Sequence, residues 1–132
     1  MAYSSVIRLP VARLDVKDNP LRFNRPDMNK HRNVPVTIDG IRFASKQEGA
    51  RYLELKVLFR AAKIQDLKIH PRFILRIGQY KICAYVADFS YWRDGGLVVE
   101  DVKGRKSGGP YQMFRLKKKL MLAILGIDVL EV

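Results

Sequence analysis

Two carboxylates and one ammonium are the side chains whose types and spacing suggest chemistry. Asp88 ends one apolar run, and Asp101 and Lys103 follow the next one. The Asp94–Gly95 pair between the two runs is a strong signal for a β-hairpin turn. In the register that this turn sets, Asp88 lies directly opposite Asp101, with Cβ atoms about 5 Å apart. Because side chains alternate along a strand, Lys103 shares the face of Asp101.

A pair of opposed acids next to a lysine suggests a metal site. Like charges repel at this distance, so a cation is expected between them. Carboxylates are ligands of Mg²⁺, and a bound divalent ion can polarise a phosphate and activate water. A solvated sheet face with two unrelated acids is the alternative explanation. Glu100 and Val102 are expected on the opposite face, so replacing Glu100 by Gln should cost far less activity than replacing Asp101 by Asn.

At these residues the sequence resembles a nuclease superfamily. Asp88 followed beyond the turn by Asp101-Val102-Lys103 is similar to the PD-(D/E)xK signature, with Ala87 in place of its usual proline. The segments 85–89 and 99–104 more closely resemble a family of small phage endonucleases, which is grouped with recombination nucleases and Holliday-junction resolvases.

The resemblance covers roughly residues 35 to 132 and implies an activity. It implies a Mg²⁺-dependent endonuclease that hydrolyses DNA phosphodiesters in phage recombination, replication or packaging, with Mn²⁺ able to replace Mg²⁺. The implied metal ligands are Asp88, Asp101, the Val102 carbonyl and Glu48. Lys103 would position or deprotonate the attacking water. The paired cuts of junction processing would require a homodimer, and the host cytoplasm is the implied location.

Glu48 is placed by a helix signal upstream. Ser45 and Glu48 have capping-box spacing, which predicts a helix from about Lys46 to Lys63. Helical periodicity puts Glu48 on an apolar stripe with Leu55. The carboxylate could serve as the helix cap, as a metal ligand, or as both.

His70 is the other residue with ligand chemistry. It precedes Pro71 and the strand predicted at Arg72–Ile77. An ordinary polar residue at a strand start is favoured over a metal ligand or a base, because relatives implied by the resemblance carry an amide side chain at this place.

The remaining patterns predict an α/β fold. A hairpin is expected near 34–43, a long strand over 80–92, a helix from Tyr111 and a final strand over 127–132. The helix is predicted to bury Met113, Leu116, Leu120 and Ile124. Its return strand should be parallel to the strand before it. From Ser45 the order is α-β-β-β-α-β, which matches the restriction-endonuclease-like core, a mixed sheet flanked by helices.

The charge of the chain indicates a polyanionic partner. A formal net charge of +12 favours DNA. Residues 1–33 are predicted to form an irregular basic arm, and 34–132 a single nuclease domain. The predicted DNA-binding residues are Arg22, Arg25, Lys30, Arg32, Arg105, Lys106, Arg115, Lys117, Lys118 and Lys119. A non-catalytic nucleic-acid-binding module is the alternative function. The sequence shows no membrane-spanning run or secretion signal, and its single Cys83 fits a reducing cytoplasm.

Overall fold

The computed structural model describes residues 33–132, which form a mixed α/β fold with two helices and several small sheets. The strands are β1 (Val36–Ile38), β2 (Ile41–Phe43), β3 (Gln65–Ile69), β4 (Arg72–Ile77), β5 (Tyr80–Val86), β6 (Phe89–Arg93), β7 (Gly96–Asp101) and β8 (Leu130–Glu131). The helices are α1 (Lys46–Arg60) and α2 (Gly109–Leu120), and α2 continues as a π-helical segment over Met121–Leu125. The predicted basic arm lies almost wholly outside the described residues.

The largest sheet has the strand order β3-β6-β7-β8. Its first three strands are antiparallel, and β8 runs parallel to β7, which confirms the predicted return through a helix. The final strand is shorter than predicted, because only Leu130–Glu131 pairs regularly. Two further hairpins, β1–β2 and β4–β5, form separate two-stranded sheets.

The β6–β7 hairpin has the predicted register. Phe89 pairs with Glu100 and Arg93 pairs with Gly96. Both turn residues adopt left-handed backbone angles, with φ of 51° at Asp94 and 76° at Gly95. Asp-Gly is favoured in such a two-residue turn because both residues tolerate positive φ.

The long strand predicted over 80–92 is wrong. The strand is interrupted at Ala87 and Asp88. Before this break β5 pairs with β4, and after it β6 pairs with β3 and β7. Pro71 lies opposite the break, where its carbonyl accepts the Ala87 N–H at 3.0 Å. Proline has no N–H to return, so the ladder is interrupted and the pair of chain segments bends here.

Helix α1 begins where the capping box predicted. The Ser45 side chain accepts the Glu48 N–H at 3.2 Å, while the Glu48 carboxylate accepts the Ala44 N–H instead of the Ser45 N–H. The helix ends at Arg60, earlier than the predicted Lys63, since Ala62 adopts a left-handed φ of 55° that cannot continue a helix.

Gly49 allows α1 to approach β1 closely. A Cβ atom built on this glycine would lie 2.6 Å from Cγ2 of Val36. The absence of a side chain at Gly49 therefore sets the position of the first turn of α1, which carries Glu48.

The buried face of the helical segment 109–125 agrees only in part with the predicted one. Leu120 and Ile124 pack against the core, as predicted. Phe114 and Met121 are buried, whereas Met113 and Leu116 are each 53% exposed. The apolar residues of this segment lie on both helix faces, and the Phe114 ring packs beside Tyr85 with centroids 6.4 Å apart. The larger aromatic ring therefore determines which face is buried.

The core lies on both faces of the β6–β7 hairpin. Phe89 and Tyr91 pack with Leu55 of α1 on one face. On the other face, Val99 packs with Phe114 of α2 and with Met121 of the π-helical segment that follows it. The acids of β7 consequently point into different layers. Among residues 33–132, no helix is long and apolar enough to cross a membrane.

Candidate metal centre

Three chain segments bring metal-ligating atoms together. Glu48 comes from the first turn of α1, His70 from the β3–β4 junction and Asp88 from the β5–β6 junction. One ligand atom from each side chain lies within 4.8 Å of the other two. His70 is exposed while both acids are half-buried, so the cluster has a side open to solvent.

His70 is held opposite Asp88 by the backbone. Its N–H donates to the Asp88 carbonyl oxygen at 2.9 Å. Ile69 pairs with Phe89 on one side of this contact, and Arg72 pairs with Val86 on the other. His70 adopts a φ of 52°, in the left-handed region that histidine occupies more readily than most residues.

The environment of Asp88 favours the protonated form of its carboxyl. Burial, followed by the negative charge of Asp101, raises the pKa of Asp88 to about 8. One hydrogen bond acts in the other direction, because the Val102 N–H donates to its Oδ2 at 2.7 Å. The Val102 N–H therefore holds the Asp88 carboxylate in place. The metal contact predicted for the Val102 carbonyl stays a prediction.

Asp101 is buried, and both of its carboxylate oxygens have partners. The Tyr85 hydroxyl donates to Oδ2 at 2.5 Å, and the Lys103 ammonium contacts Oδ1 at 2.8 Å. Burial and the bond to Asp101 raise the pKa of Tyr85 above its ordinary value, so this hydroxyl stays a donor. The hairpin register thus places Asp88 between His70 on one side and Asp101 on the other.

Lys103 lies on the same face as Asp101, as alternation predicted. Its Nζ atom is 4.0 Å from the centroid of the Phe114 ring. A carboxylate on one side and an aromatic face on the other are both partners of a cation. These contacts hold the ammonium beside the acids, with its side chain 22% exposed.

Glu100 lies on the opposite face, as predicted, but it is not a free surface acid. It is 1% exposed, and both of its oxygens accept bonds from the Arg51 guanidinium, at 2.7 and 2.8 Å. The Tyr91 hydroxyl also donates to Oε1 at 2.5 Å. The hydrogen bonds from the guanidinium to Glu100 are the main reason why the pKa of Arg51 is raised. This buried ion pair attaches α1, which carries Glu48, to β7.

The donor set suits a divalent cation. Two carboxylates and an imidazole supply oxygen and nitrogen ligands. In the absence of a cation, burial disfavours the charged form of Asp88 and the neighbouring acids repel it. A positive ion at this position would relieve both costs. The side chains that would hold it are Glu48, His70 and Asp88, with Asp101 next to them.

The predicted DNA-binding residues fall into three groups. Arg105, Lys106, Arg115 and Lys119 are exposed. Two others are engaged, since the Lys117 amine donates to the Ala84 carbonyl at 2.9 Å and Lys118 contacts Glu131 at 3.3 Å. Lys117 therefore braces β5 through the Ala84 carbonyl. The positions Arg22, Arg25, Lys30 and Arg32 lie outside the described residues.

The sequence patterns favoured an ordinary polar role for His70, which the structure brings next to Glu48 and Asp88. They did not single out Tyr85 or Arg51. The position of His70 depends on the pairing of β4 with β5, which the sequence pattern does not specify. Counting from the Ile77–Tyr80 pair alone would set His70 opposite Ala87. One extra residue in β5, between the Leu75 and Arg76 pairings, moves its partner to Asp88.

A comparison with protein families assigns the chain to one of them. The profile of the family described as "Protein of unknown function (DUF1064)" matches residues 28–124. The chain belongs to this family. The matched range contains Glu48, His70, Asp88, Asp101 and Lys103. No curated protein and no solved structure matches the sequence.

Proposed function

We propose that this protein is a metal-dependent endonuclease that hydrolyses DNA phosphodiester bonds. The observation that carries the proposal is the convergence of Glu48, His70 and Asp88 beside a Lys103–Asp101 ion pair. We also propose that the protein is a member of the PD-(D/E)xK nuclease superfamily and has a restriction-endonuclease-like core. A role in phage or prophage recombination, replication or packaging, within the host cytoplasm, is part of the same proposal.

The acids would hold the cation and Lys103 would act on the substrate. A divalent ion, with Mg²⁺ as the first candidate and Mn²⁺ as a substitute, supplies Lewis-acid polarisation of the phosphate and a bound water of lowered pKa. Asp88 and Glu48 would hold that ion, and Asp101 and the Val102 carbonyl would complete its ligands. Asp101 also orients the Lys103 ammonium.

Hydrolysis then requires one bond to form and one to break. The water oxygen bonds to phosphorus while the bond from phosphorus to one ester oxygen breaks, and a proton passes from the water to the departing oxygen. Lys103, held by Asp101 and Phe114, can donate to a phosphate oxygen and stabilise its developing negative charge.

Substrate binding would depend on exposed cations in the loop after Lys103 and on α2. Arg105 and Lys106 follow the Lys103 segment directly, and Arg115 and Lys119 lie on the exposed side of α2. A formal net charge of +12 favours phosphate contacts as the main source of affinity. A non-catalytic DNA-binding module would use the same cations without a metal.

The deciding experiment is a cleavage panel on four-way junction, flap and linear duplex DNA with Mg²⁺, Mn²⁺ or EDTA. We expect cutting with either metal and none in EDTA. Asp88→Asn should abolish cutting. Asp94→Asn is the control and should retain cutting, because this substitution makes the same charge change at the turn at the far end of the hairpin. Tight DNA binding without cutting under any of these conditions would instead establish the binding module.

The active form is proposed to be a homodimer, because one centre cuts one strand and junction processing needs paired cuts. Light scattering with and without junction DNA tests this point. A monomer under both conditions would contradict the dimer and leave the hydrolytic centre unaffected.

A further inference from the structure

We propose that His70 is a metal ligand and that its imidazole makes this centre select Mn²⁺ over Mg²⁺. The inference rests on the proposed metal centre and adds to it the class of ion that the centre prefers. It concerns binding of the ion, so it can be tested without DNA.

The placement of His70 is set by the fold. Its backbone N–H is bonded to the Asp88 carbonyl, and Pro71 beside it accepts the Ala87 N–H. The imidazole lies against the fully buried Phe43, with ring centroids 5.8 Å apart. The backbone and the neighbouring ring together position a ligand nitrogen within 4.8 Å of carboxylate oxygens from Glu48 and Asp88.

The chemistry of the donors then discriminates between ions. Mg²⁺ binds oxygen ligands and loses its bound waters reluctantly. Mn²⁺ also binds carboxylates, but as a first-row transition ion it accepts an imidazole nitrogen more readily than Mg²⁺ does. A site made of two carboxylates and one imidazole therefore gains more affinity for Mn²⁺ than for Mg²⁺. Asp101, whose oxygens already bind Tyr85 and Lys103, is less available as a third oxygen ligand.

The test measures binding of MnCl₂ and MgCl₂ to the full chain by calorimetry, without DNA. His70→Asn is the main variant, because asparagine tolerates the positive φ at this position and the fold should survive. His70→Asp adds a carboxylate ligand. Asp66→Asn is the matched control, since Asp66 is an exposed β3 residue whose φ is also positive.

We expect wild-type protein to bind Mn²⁺ at least about 10-fold more tightly than Mg²⁺. His70→Asn should lose most of this ratio by weakening Mn²⁺ at least about 10-fold while Mg²⁺ changes less than about 3-fold. His70→Asp should shift the ratio toward Mg²⁺, and Asp66→Asn should retain the wild-type ratio. Pulsed electron paramagnetic resonance of the Mn²⁺ complex should show coupling to a ligand nitrogen that His70→Asn removes.

An unchanged Mn²⁺ to Mg²⁺ ratio in His70→Asn, or equal losses for both ions, would overturn the inference. Cleavage of DNA by such a variant with its metal preference intact would leave the proposed function standing. Conversely, His70-dependent Mn²⁺ binding by a protein that cuts no DNA would retain the inference and remove the nuclease.

Discussion

The Tyr85 hydroxyl donates to Asp101 on one face of β7, and the Tyr91 hydroxyl donates to Glu100 on the other, each at 2.5 Å. The two tyrosines thus form the same buried contact with adjacent acids. One contact lies next to the candidate centre and the other supports the attachment of α1. This pairing provides an internal control that separates a role in the site from a role in stability.

Removing either hydroxyl should destabilise the protein, but only one removal should affect cleavage. Tyr85→Phe and Tyr91→Phe each lose a hydrogen bond to a charged group, at a cost of about 1.5 to 3 kcal/mol. Tyr85→Phe should also reduce cleavage by about 10- to 100-fold, because Asp101 loses the group that orients it. Denaturant unfolding and single-turnover cleavage of the folded variants measure the two effects. Equal cleavage losses in both variants would indicate a purely structural role for Tyr85.

The stability of the metal-free protein should fall as pH rises from about 4 to about 8. The pKa of Asp88 is raised to about 8 from an ordinary value of 3.8. The folded state therefore keeps a proton that the unfolded chain has already lost, and this contribution to stability disappears as pH passes through the folded-state pKa. We expect a fall of about 1 to 2 kcal/mol, since partial exposure of the carboxyl moderates the effect.

Asp88→Asn isolates that contribution. The amide still accepts the Val102 N–H but does not titrate, so its unfolding free energy should decline less across the same pH range. Asp94→Asn should follow the wild type. A wild-type pH profile in Asp88→Asn would show that another group causes the decline.

Glu100→Gln should be more destabilising than Asp101→Asn. Neutralising Glu100 leaves the Arg51 guanidinium facing a buried amide, which should cost on the order of 2 to 3 kcal/mol. Asp101→Asn keeps an acceptor for Lys103 and relieves repulsion with Asp88, so its stability should change by less than about 1 kcal/mol. Thermal unfolding checks both values.

Cleavage should show the reverse order once it is normalised to folded protein. Asp101→Asn should be inactive, because the centre loses a carboxylate for the metal and the amide can only hydrogen-bond to Lys103 instead of forming an ion pair. Glu100→Gln should retain cutting below its melting temperature. If Asp101→Asn cuts with Mg²⁺ while folded Glu100→Gln does not, Glu100 belongs to the centre and the assignment of the two faces is wrong.

Local signals made part of the centre predictable. Asp94 and Gly95 specify a two-residue turn, which sets Asp88 against Asp101 without any information from the rest of the chain. The Ser45 cap likewise places Glu48 at the start of α1. These features depend on neighbours only a few residues apart in sequence.

Other parts depend on contacts between distant segments. The break at Ala87 and Asp88 is set by Pro71 on the opposing chain segment, and the extra residue in β5 shifts His70 onto Asp88. Neither effect is visible in the periodicity of one strand. In α2, apolar residues occupy both faces, so packing of Phe114 against Tyr85 decides which side is buried.

DNA binding should depend on the exposed cations of α2 more than on a cation at the far end of the β4–β5 hairpin. Arg115→Gln and Lys119→Gln each remove a charge that has no ion-pair partner among the described residues. Each should weaken binding of catalytically inactive Asp88→Asn protein to duplex DNA and reduce the slope of log affinity against log salt by about 1.

Lys81→Gln makes the same charge change in β5, beyond the bulge, and should change the slope by less. Fluorescence anisotropy titrations over a range of salt concentrations measure this slope. Equal reductions in all three variants would show diffuse attraction by net charge, and an almost flat salt dependence in the parent protein would contradict nucleic-acid binding itself.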